Sequence, residues 1–352
     1  MHTGAEPAAL GPYLARVLGD PGWRDCRTEL IPGGRSNLTY VVSGPPGELV
    51  LRRPPLGHVL PTAHDMAREF RVMSALASTR VPVPRTRHLC TDPSVLGAPF
   101  YLMERVPGVV LRGELPPGVA DTPAERAGLA EAFVGVLADL HAVDPGSVGL
   151  DGFGRPDGFL ARQVRRWTAQ WEATRVRDDG GLDALLAALG GQLPDSGPPG
   201  IVHGDYRLDN VIVRPGPPPT VAAVLDWEMS TLGDPLTDLG LLCVYWQQDG
   251  DDPLRRDSLV VPSVTCLPGF PTRAELVASY AARTGRDVSV LPWYVAFGCA
   301  KLAVVCAGIA ARGRGGAMLG EGFVEMADRV APLAVLGRTV LRTGDATTAG
   351  GG

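Results

Sequence analysis

"IVHGDYRLDN", Ile201 to Asn210, places a histidine, two aspartates, an arginine and an asparagine within the positions His203–Asn210. Ile201-Val202 precedes the polar cluster and Val211-Ile212-Val213 follows it. Polar residues set between two apolar pieces lie at the edge of a core rather than on a wholly solvated loop. Beyond a Pro-rich turn, Pro215–Pro219, "VAAVLDW" (Val221–Trp227) is a second apolar run that ends on an acid. The two runs read as a short hairpin whose ends meet, so Asn210 and Asp226 can face one cation. One carboxylate and one carboxamide, completed by waters and phosphate oxygens, suit Mg²⁺. Asp205 lies 21 residues before Asp226 and across a loop from Asn210. It is left to accept the proton of an attacking hydroxyl. That is the division of labour in phosphoryl transfer: one Asp orients and deprotonates the nucleophile, while an Asn and a second Asp hold the metal.

Other chemistries lack their signatures. A Walker A loop needs Gly-Lys-Ser/Thr, and the only lysine, Lys301, is followed by Leu302. No GxGxxG follows a strand and no GxSxG elbow is present. The six cysteines form no CxxC pair and have no His at zinc-ligand spacing, so they read as reduced, mostly buried thiols of a cytoplasmic protein. The N-terminus shows no basic-then-apolar signal pattern. Net charge is −5, from 33 basic and 38 acidic side chains, which argues against nucleic acid or a membrane surface as partner. Val290–Ala311 is apolar and 22 residues long, enough to span a bilayer. With Lys301 at its middle, which costs about 2.5–3.5 kcal/mol on insertion scales, it reads as the buried helix of a folded domain.

Residues number 352, too many for one small core and about right for two lobes. Leu30 to Arg53 reads as β structure and "AHDMAREFRVMSALAS" as helix, with Met66, Phe70, Met73 and Leu76 on one face. "PFYLMERV" reads as a strand that ends at Pro107-Gly108, a hinge. Pro123–Gly190 and Leu236 to about Arg342 carry helical patterns. His141 reads as a packing histidine, His203 as a brace for its loop, and Asp238 as an acceptor for loop amides. "QQDGDDP" reads as a solvated loop, with reception of a cationic substrate as the alternative. Lys301 either meets an anionic substrate group or extends its amine out of a buried helix.

"HGDYRLDN" resembles the H-G-D-x-x-x-x-N loop of the aminoglycoside phosphotransferase and choline kinase-like families, relatives of protein kinases. "VLDWEMSTLGDPLTDLG" looks like their metal segment, with Asp226 in the place of the Asp-Phe-Gly aspartate. The resemblance implies an α/β (α+β), bilobal protein kinase-like fold. A small N-terminal β-sheet lobe would span residues 1–106, a larger helical lobe 107–342, and a disordered tail 343–352. "GGRSNLTY" is similar to the family's nucleotide loop, so Gly33, Gly34, Ser36 and Asn37 are expected to approach the phosphates of ATP. "LVLRR" resembles the third-strand Val-Ala-Ile-Lys site, with Arg52 in place of the lysine and Arg53 as the register alternative. Arg keeps the charge and offers phosphate a planar fork. Glu69 would be its partner, and Met103, Glu104 and Val106 of "YLMERV" would face adenine. ATP and Mg²⁺ are the implied cofactors.

Within the superfamily, "AHDMAREFRVMSAL", "GFGRPDGFLARQVRRWTAQW" and "WYVAFGCAKLAVVCAGI" look like the kinase-like part of acyl-CoA dehydrogenase family members ten and eleven and their free-standing bacterial relatives. That branch implies phosphorylation of the hydroxyl of a hydroxyacyl-CoA, 4-hydroxyacyl-CoA above all. Helical-region arginines such as Arg162, Arg165, Arg166, Arg312 and Arg314 are candidates for CoA phosphates. Kinases of antibiotics or other metabolites are the alternative, and a catalytically silent nucleotide-binding module, which the departure at Arg52 leaves open, comes third. The expected assembly is a monomer or homodimer.

Overall fold

Apolar residues that alternate along a strand bury one face each of a pleated sheet. In the computed structural model, which describes residues 4–32, 37–56, 65–175, 180–258, 263–314 and 325–347, this alternation builds one antiparallel sheet. Its strands are β1 (Arg27–Leu30), β2 (Leu38–Gly44), β3 (Gly47–Arg53), β4 (Thr86–Cys90) and β5 (Phe100–Glu104), ordered β1-β2-β3-β5-β4. Tyr40, Val42, Leu49, Leu51, Phe100 and Leu102 share a face and pack with Leu10 and Leu14 of helix α1 (Pro7–Val17) and with Trp23. Arg52 and Tyr101 are cross-strand partners whose side chains project from the opposite face. Helix α2 (Met66–Leu76) lies on that side against β4 and β5, and the short helix α3 (Pro93–Leu96) joins those two strands. Asp65 caps it by accepting from Arg68 N at 3.0 Å, which sets the register that buries Glu69 together with Val72, Met73 and Leu76.

Alternation also settles the choice between the adjacent arginines. Arg53 projects from the α1 face, where its guanidinium donates to the carbonyls of Leu96 at 2.8 Å and Gly4. Arg52 alone of the pair reaches α2.

The chain divides into two compact units. The first comprises Met1–Gly108 and Ala222–Ser230, the second Val109–Val221 and Thr231–Gly352. Neither unit is the single continuous stretch, divided at 106/107, that the sequence leads one to expect, because Ala222–Ser230 returns to unit 1 through tertiary ties. Val224 N donates to Pro82 O at 2.8 Å, and the Arg68 guanidinium donates to Ser230 O at 3.0 Å.

Unit 2 contains helix α4 (Pro123–Ala142), begun by a capping box between Thr122 and Glu125, then α5 (Phe159–Thr174) and α6 (Gly180–Gly191). Short strands frame the opening motif. β6 (Val109–Val110) pairs with β8 (Val211–Arg214), and β7 (Gly200–Val202) pairs with β10 (Thr231–Gly233). The expected hairpin partner of β8, β9 (Thr220–Val224), carries the chain from unit 2 into unit 1. Helices α7 (Leu236–Tyr245), α8 (Pro253–Ser258), α9 (Arg273–Thr284), α10 (Leu291–Arg314) and α11 (Val330–Thr343) follow. A Cβ on Gly240 of α7 would meet the Tyr294 backbone of α10 at 2.5 Å, so glycine is what lets these helices touch. Leu291–Gly313 is long and apolar enough to cross a membrane, yet 78% of its apolar window is buried inside the structure, as in a core helix.

Two expectations need correction. "QQDGDDP" is not wholly solvated: Asp251 is buried and paired with Arg273 at 2.5 Å, because the buried guanidinium needs a counter-charge. The supposedly disordered tail begins on the last residue of α11, and Thr347 is tied in, its carbonyl accepting from Arg273 Nε at 3.2 Å. Residues 348–352 lie outside the described residues.

Candidate active site

Asp205 follows β7 on a loop whose backbone is fixed from both sides. Asp238, at the start of α7, accepts from His203 N and from Gly204 N, each at 2.7 Å. His141 Nε2 lies 3.2 Å from the same carboxylate, and His141 Nδ1 lies 2.7 Å from the Tyr280 hydroxyl. Gly204 has φ +88°, a conformation that favours glycine and turns the chain sharply before Asp205. The Asp205 amide donates to His203 Nδ1 at 3.1 Å, the bracing role expected of that histidine. Tyr206 then pins the loop to α4: its ring stacks on Phe133 at 4.5 Å and its hydroxyl donates to Phe133 O at 2.7 Å.

Between these anchors the Asp205 carboxylate is partly exposed, its side chain 28% accessible. It accepts from Asn210 Nδ2 at 3.0 Å and from the Tyr245 hydroxyl at 3.1 Å. Asn210 Nδ2 also donates to Asp205 O at 2.8 Å, which leaves the carboxamide oxygen as the atom for a cation. Arg207 lies over the Tyr245 ring at 4.9 Å and pairs with Asp209 at 2.7 Å. Tyr245, unremarked in the sequence, is brought to Asp205 by the length of α7.

Burial and partners shape the Asp238 network. Burial opposes the charge of Asp238, but the His141 contact and the loop amides outweigh it and hold its carboxyl below the ordinary 3.8. For His141, burial dominates over Asp238 and pushes the imidazole below its ordinary 6.5. Both depressions destabilise the fold in acid, since the unfolded chain binds protons that the folded chain refuses. The window opens below 6.5 for His141 and below 3.8 for Asp238. The urea midpoint is therefore expected to fall between about pH 7 and about pH 5 in the parent, and to fall less in His141→Asn. Equal slopes in the two proteins contradict this.

In unit 1, Arg52 is surrounded by acids. Its Nε lies 2.9 Å from Glu69 Oε2, but the N–H does not point at the oxygen, so the contact is ionic rather than a directed hydrogen bond. Its Nη2 contacts Asp226 and lies 3.8 Å from Glu228. Asn37 Nδ2 bridges Glu69 at 3.0 Å and Glu228 at 3.1 Å, and Tyr101 donates to Glu69 at 3.0 Å. Asp226 sits at φ +64°, one of two non-glycine residues in the left-handed region among the described residues, which swings its carboxylate toward Arg52. Burial opposes the Arg52 charge, but Glu69 and Asp226 outweigh it and raise its pKa above the ordinary arginine value. Burial likewise lifts Glu69 above the ordinary carboxylate range, against the pull of Arg52.

Three carboxylates facing one guanidinium leave negative charge over, which fits a cation. Among the described residues no group of three or more His, Cys, Asp or Glu side chains forms a metal cage. Met103 is buried on β5, and Glu104 and Val106 are half-buried at and just beyond its end. Gly33, Gly34 and Ser36 lie outside the described residues.

Removing Arg52 leaves Glu69 buried without its cation. Arg52→Ala is expected to cost about 3–5 kcal/mol in urea unfolding, as for other broken buried pairs, and Arg52→Lys clearly less, since one ammonium can still meet Glu69. A loss within about 1 kcal/mol for Arg52→Ala contradicts the pairing.

Comparison with known proteins places this geometry. A model of the phosphotransferase enzyme family matches residues 27–276. Mouse acyl-CoA dehydrogenase family member 10 is 37% identical over 86% of the chain, which spans only 28% of that protein's length. A crystal structure from Ralstonia eutropha, whose protein carries the provisional name aminoglycoside phosphotransferase, is 33% identical. It superposes with a TM-score of 0.80 over 97% of this chain and 99% of its own. Choline kinase from Cryptosporidium parvum, 12% identical, shares the fold alone, at a TM-score of 0.61 over 96% and 97% of the two chains. The kinase-like α+β fold expected from the sequence is the fold observed.

Proposed function

Since the chain belongs to the phosphotransferase enzyme family, we propose that it transfers the γ-phosphoryl group of ATP to the hydroxyl of a small molecule, with Asp205 as the base. One observation carries the reading. Asp205 presents a partly exposed carboxylate, oriented by Asn210 and Tyr245, on a loop whose backbone is fixed by Asp238. The acceptor O–H donates to that carboxylate. As the new O–P bond forms and the bond between γ-phosphorus and the bridging oxygen breaks, the proton passes to Asp205 and ADP leaves. Asn210 through its carboxamide oxygen and Asp226 through its carboxylate would hold Mg²⁺, which supplies neutralisation of phosphate charge. Arg52, Asn37 and the Gly33–Ser36 loop would bind the phosphates. Met103, Glu104 and Val106 would meet adenine.

The leading acceptor is a hydroxyacyl-CoA of the 4-hydroxyacyl type, supported by the likeness to acyl-CoA dehydrogenase family members. An antibiotic kinase is the second reading, supported by the name of the Ralstonia eutropha protein. ADP release measured against hydroxyacyl-CoA, aminoglycoside and macrolide acceptors separates them. Turnover with none of these acceptors refutes both.

The metal assignment is tested by calorimetry. Asp226→Ala is expected to abolish the Mg²⁺-dependent tightening of ATP binding, and Asn210→Ala to weaken it. Two variants that respond to Mg²⁺ like the parent place the metal elsewhere.

A further inference from the structure

Lys301 is the only lysine among 33 basic residues. A composition that supplies arginine everywhere else has kept an ammonium here, a compact charge with three donors. Lys301 sits midway along α10, and its Nζ donates to Gly204 O, the carbonyl immediately before Asp205. Among the described residues its remaining N–H groups meet no acceptor. The ammonium also lies over the Trp167 ring of α5, 5.7 Å from the centroid. Arg166, an exposed neighbour on α5, places its guanidinium 5.3 Å from the same centroid. Burial, with Asp205 and Asp238 opposing and Arg166 assisting, holds the ammonium pKa below the ordinary lysine value.

A second observation is independent of these charges. Trp167 is 3% exposed, and its indole N–H is buried without a hydrogen-bond partner. Buried donors are nearly always satisfied, so an orphan calls for an acceptor that binds there. The acids of the loop and near it are engaged elsewhere, Asp205 with Asn210 and Tyr245. Asp209 is paired with Arg207, Asp238 with the loop amides and His141, Asp234 with Tyr294 at 2.7 Å, and Asp251 with Arg273.

We propose that Lys301, the Trp167 indole N–H and Arg166 form an anion-binding subsite beside Asp205 that selects an acceptor alcohol carrying a carboxylate or a phosphate. A cluster of donors next to the base favours an acceptor with an acidic group at that point. The subsite rests on the phosphotransferase reading above and narrows its substrate class. The anion would be the carboxylate of a free hydroxy acid or a phosphate of CoA.

The test uses three acceptors that share a 4-hydroxybutanoyl group: the free acid, its CoA thioester, and its uncharged N-acetylcysteamine thioester. ADP release gives kcat/KM for each. The parent is expected to prefer one of the two anionic acceptors over the uncharged one by at least ~10-fold, mostly through KM. Which of the two it prefers identifies the source of the anion. Lys301→Met is expected to shrink that preference to within ~3-fold, and Trp167→Phe, which keeps the ring but loses the N–H, to shrink it by roughly 5-fold. Arg166→Gln, at an exposed position, gives a partial loss free of folding effects. Lys301→Met also loses the bond to Gly204, which slows all three acceptors alike, so the ratio isolates anion recognition.

A parent with no preference, or variants that keep the full preference, overturn the subsite. If the parent phosphorylates none of the three, the acceptor reading fails, and calorimetry with 4-hydroxybutanoate and with inorganic phosphate decides the subsite alone. Binding to the parent that weakens at least ~10-fold in Lys301→Met supports it. Equal binding to both proteins, or to neither, overturns it.

Discussion

Asp205→Ala is expected to lower phosphoryl-transfer turnover by at least ~10²-fold, the lower end for a positioned general base, while ATP affinity stays within about a factor of two. The asymmetry follows from placement. Asp205 belongs to the unit 2 loop, whereas the residues proposed to hold ATP phosphates and adenine are in unit 1. Asp205→Asn separates the two roles of the carboxylate. The amide oxygen can still accept from Tyr245, so the loop stays ordered, but the group cannot take a proton at neutral pH. It should lose nearly as much turnover as the alanine variant. Tyr245→Phe removes one orienting bond and is expected to cost less than ~10-fold. Turnover in Asp205→Asn within a factor of ten of the parent would assign the proton to another group.

The second large effect concerns stability. Asp238→Ala orphans the amides of His203 and Gly204 and removes one of the two partners of His141, all buried. Each unsatisfied buried group costs ~1–3 kcal/mol, so a loss of about 4 kcal/mol or more is expected in urea unfolding, an exceptional value for one substitution. Asp238→Asn should recover little. Its single oxygen can serve one amide well, while its NH₂ turns a donor toward the other. Because the same two amides fix the turn before Asp205, turnover should fall in the folded fraction as well. An unfolding free energy within about 1 kcal/mol of the parent would show that the loop keeps its shape without Asp238.

Sequence patterns revealed what depends on near neighbours. The five-residue step from Asp205 to Asn210 is bridged by a hydrogen bond, and the Arg52–Glu69 pairing that the family resemblance implied is an ion pair between β3 and α2. Features set by distant partners stayed hidden. β6, β7 and β10 are two or three residues long, too short for any periodicity, and exist because another strand pairs with them. Nothing around Tyr245 or Trp167 marks either as more than a packed aromatic. The role of Lys301 depends on a carbonyl 97 positions away. Its singularity among the basic residues was visible, but not what it faces.

The return of Ala222–Ser230 to unit 1 has a consequence for the order in which the protein is made. A nascent chain that has reached Gly108 possesses every strand of the five-stranded sheet, but neither Asp226 nor Glu228. Until Ser230 has left the ribosome, Glu69 is the only carboxylate of the trio beside Arg52, and Arg68 lacks the Ser230 carbonyl it finally holds. Unit 1 is therefore completed only after the Asp205 loop has been synthesised. A fragment cut at the boundary after Gly108 isolates an unfinished unit, and only a chain that grafts Ala222–Ser230 back onto it would reproduce the acidic surroundings of Arg52.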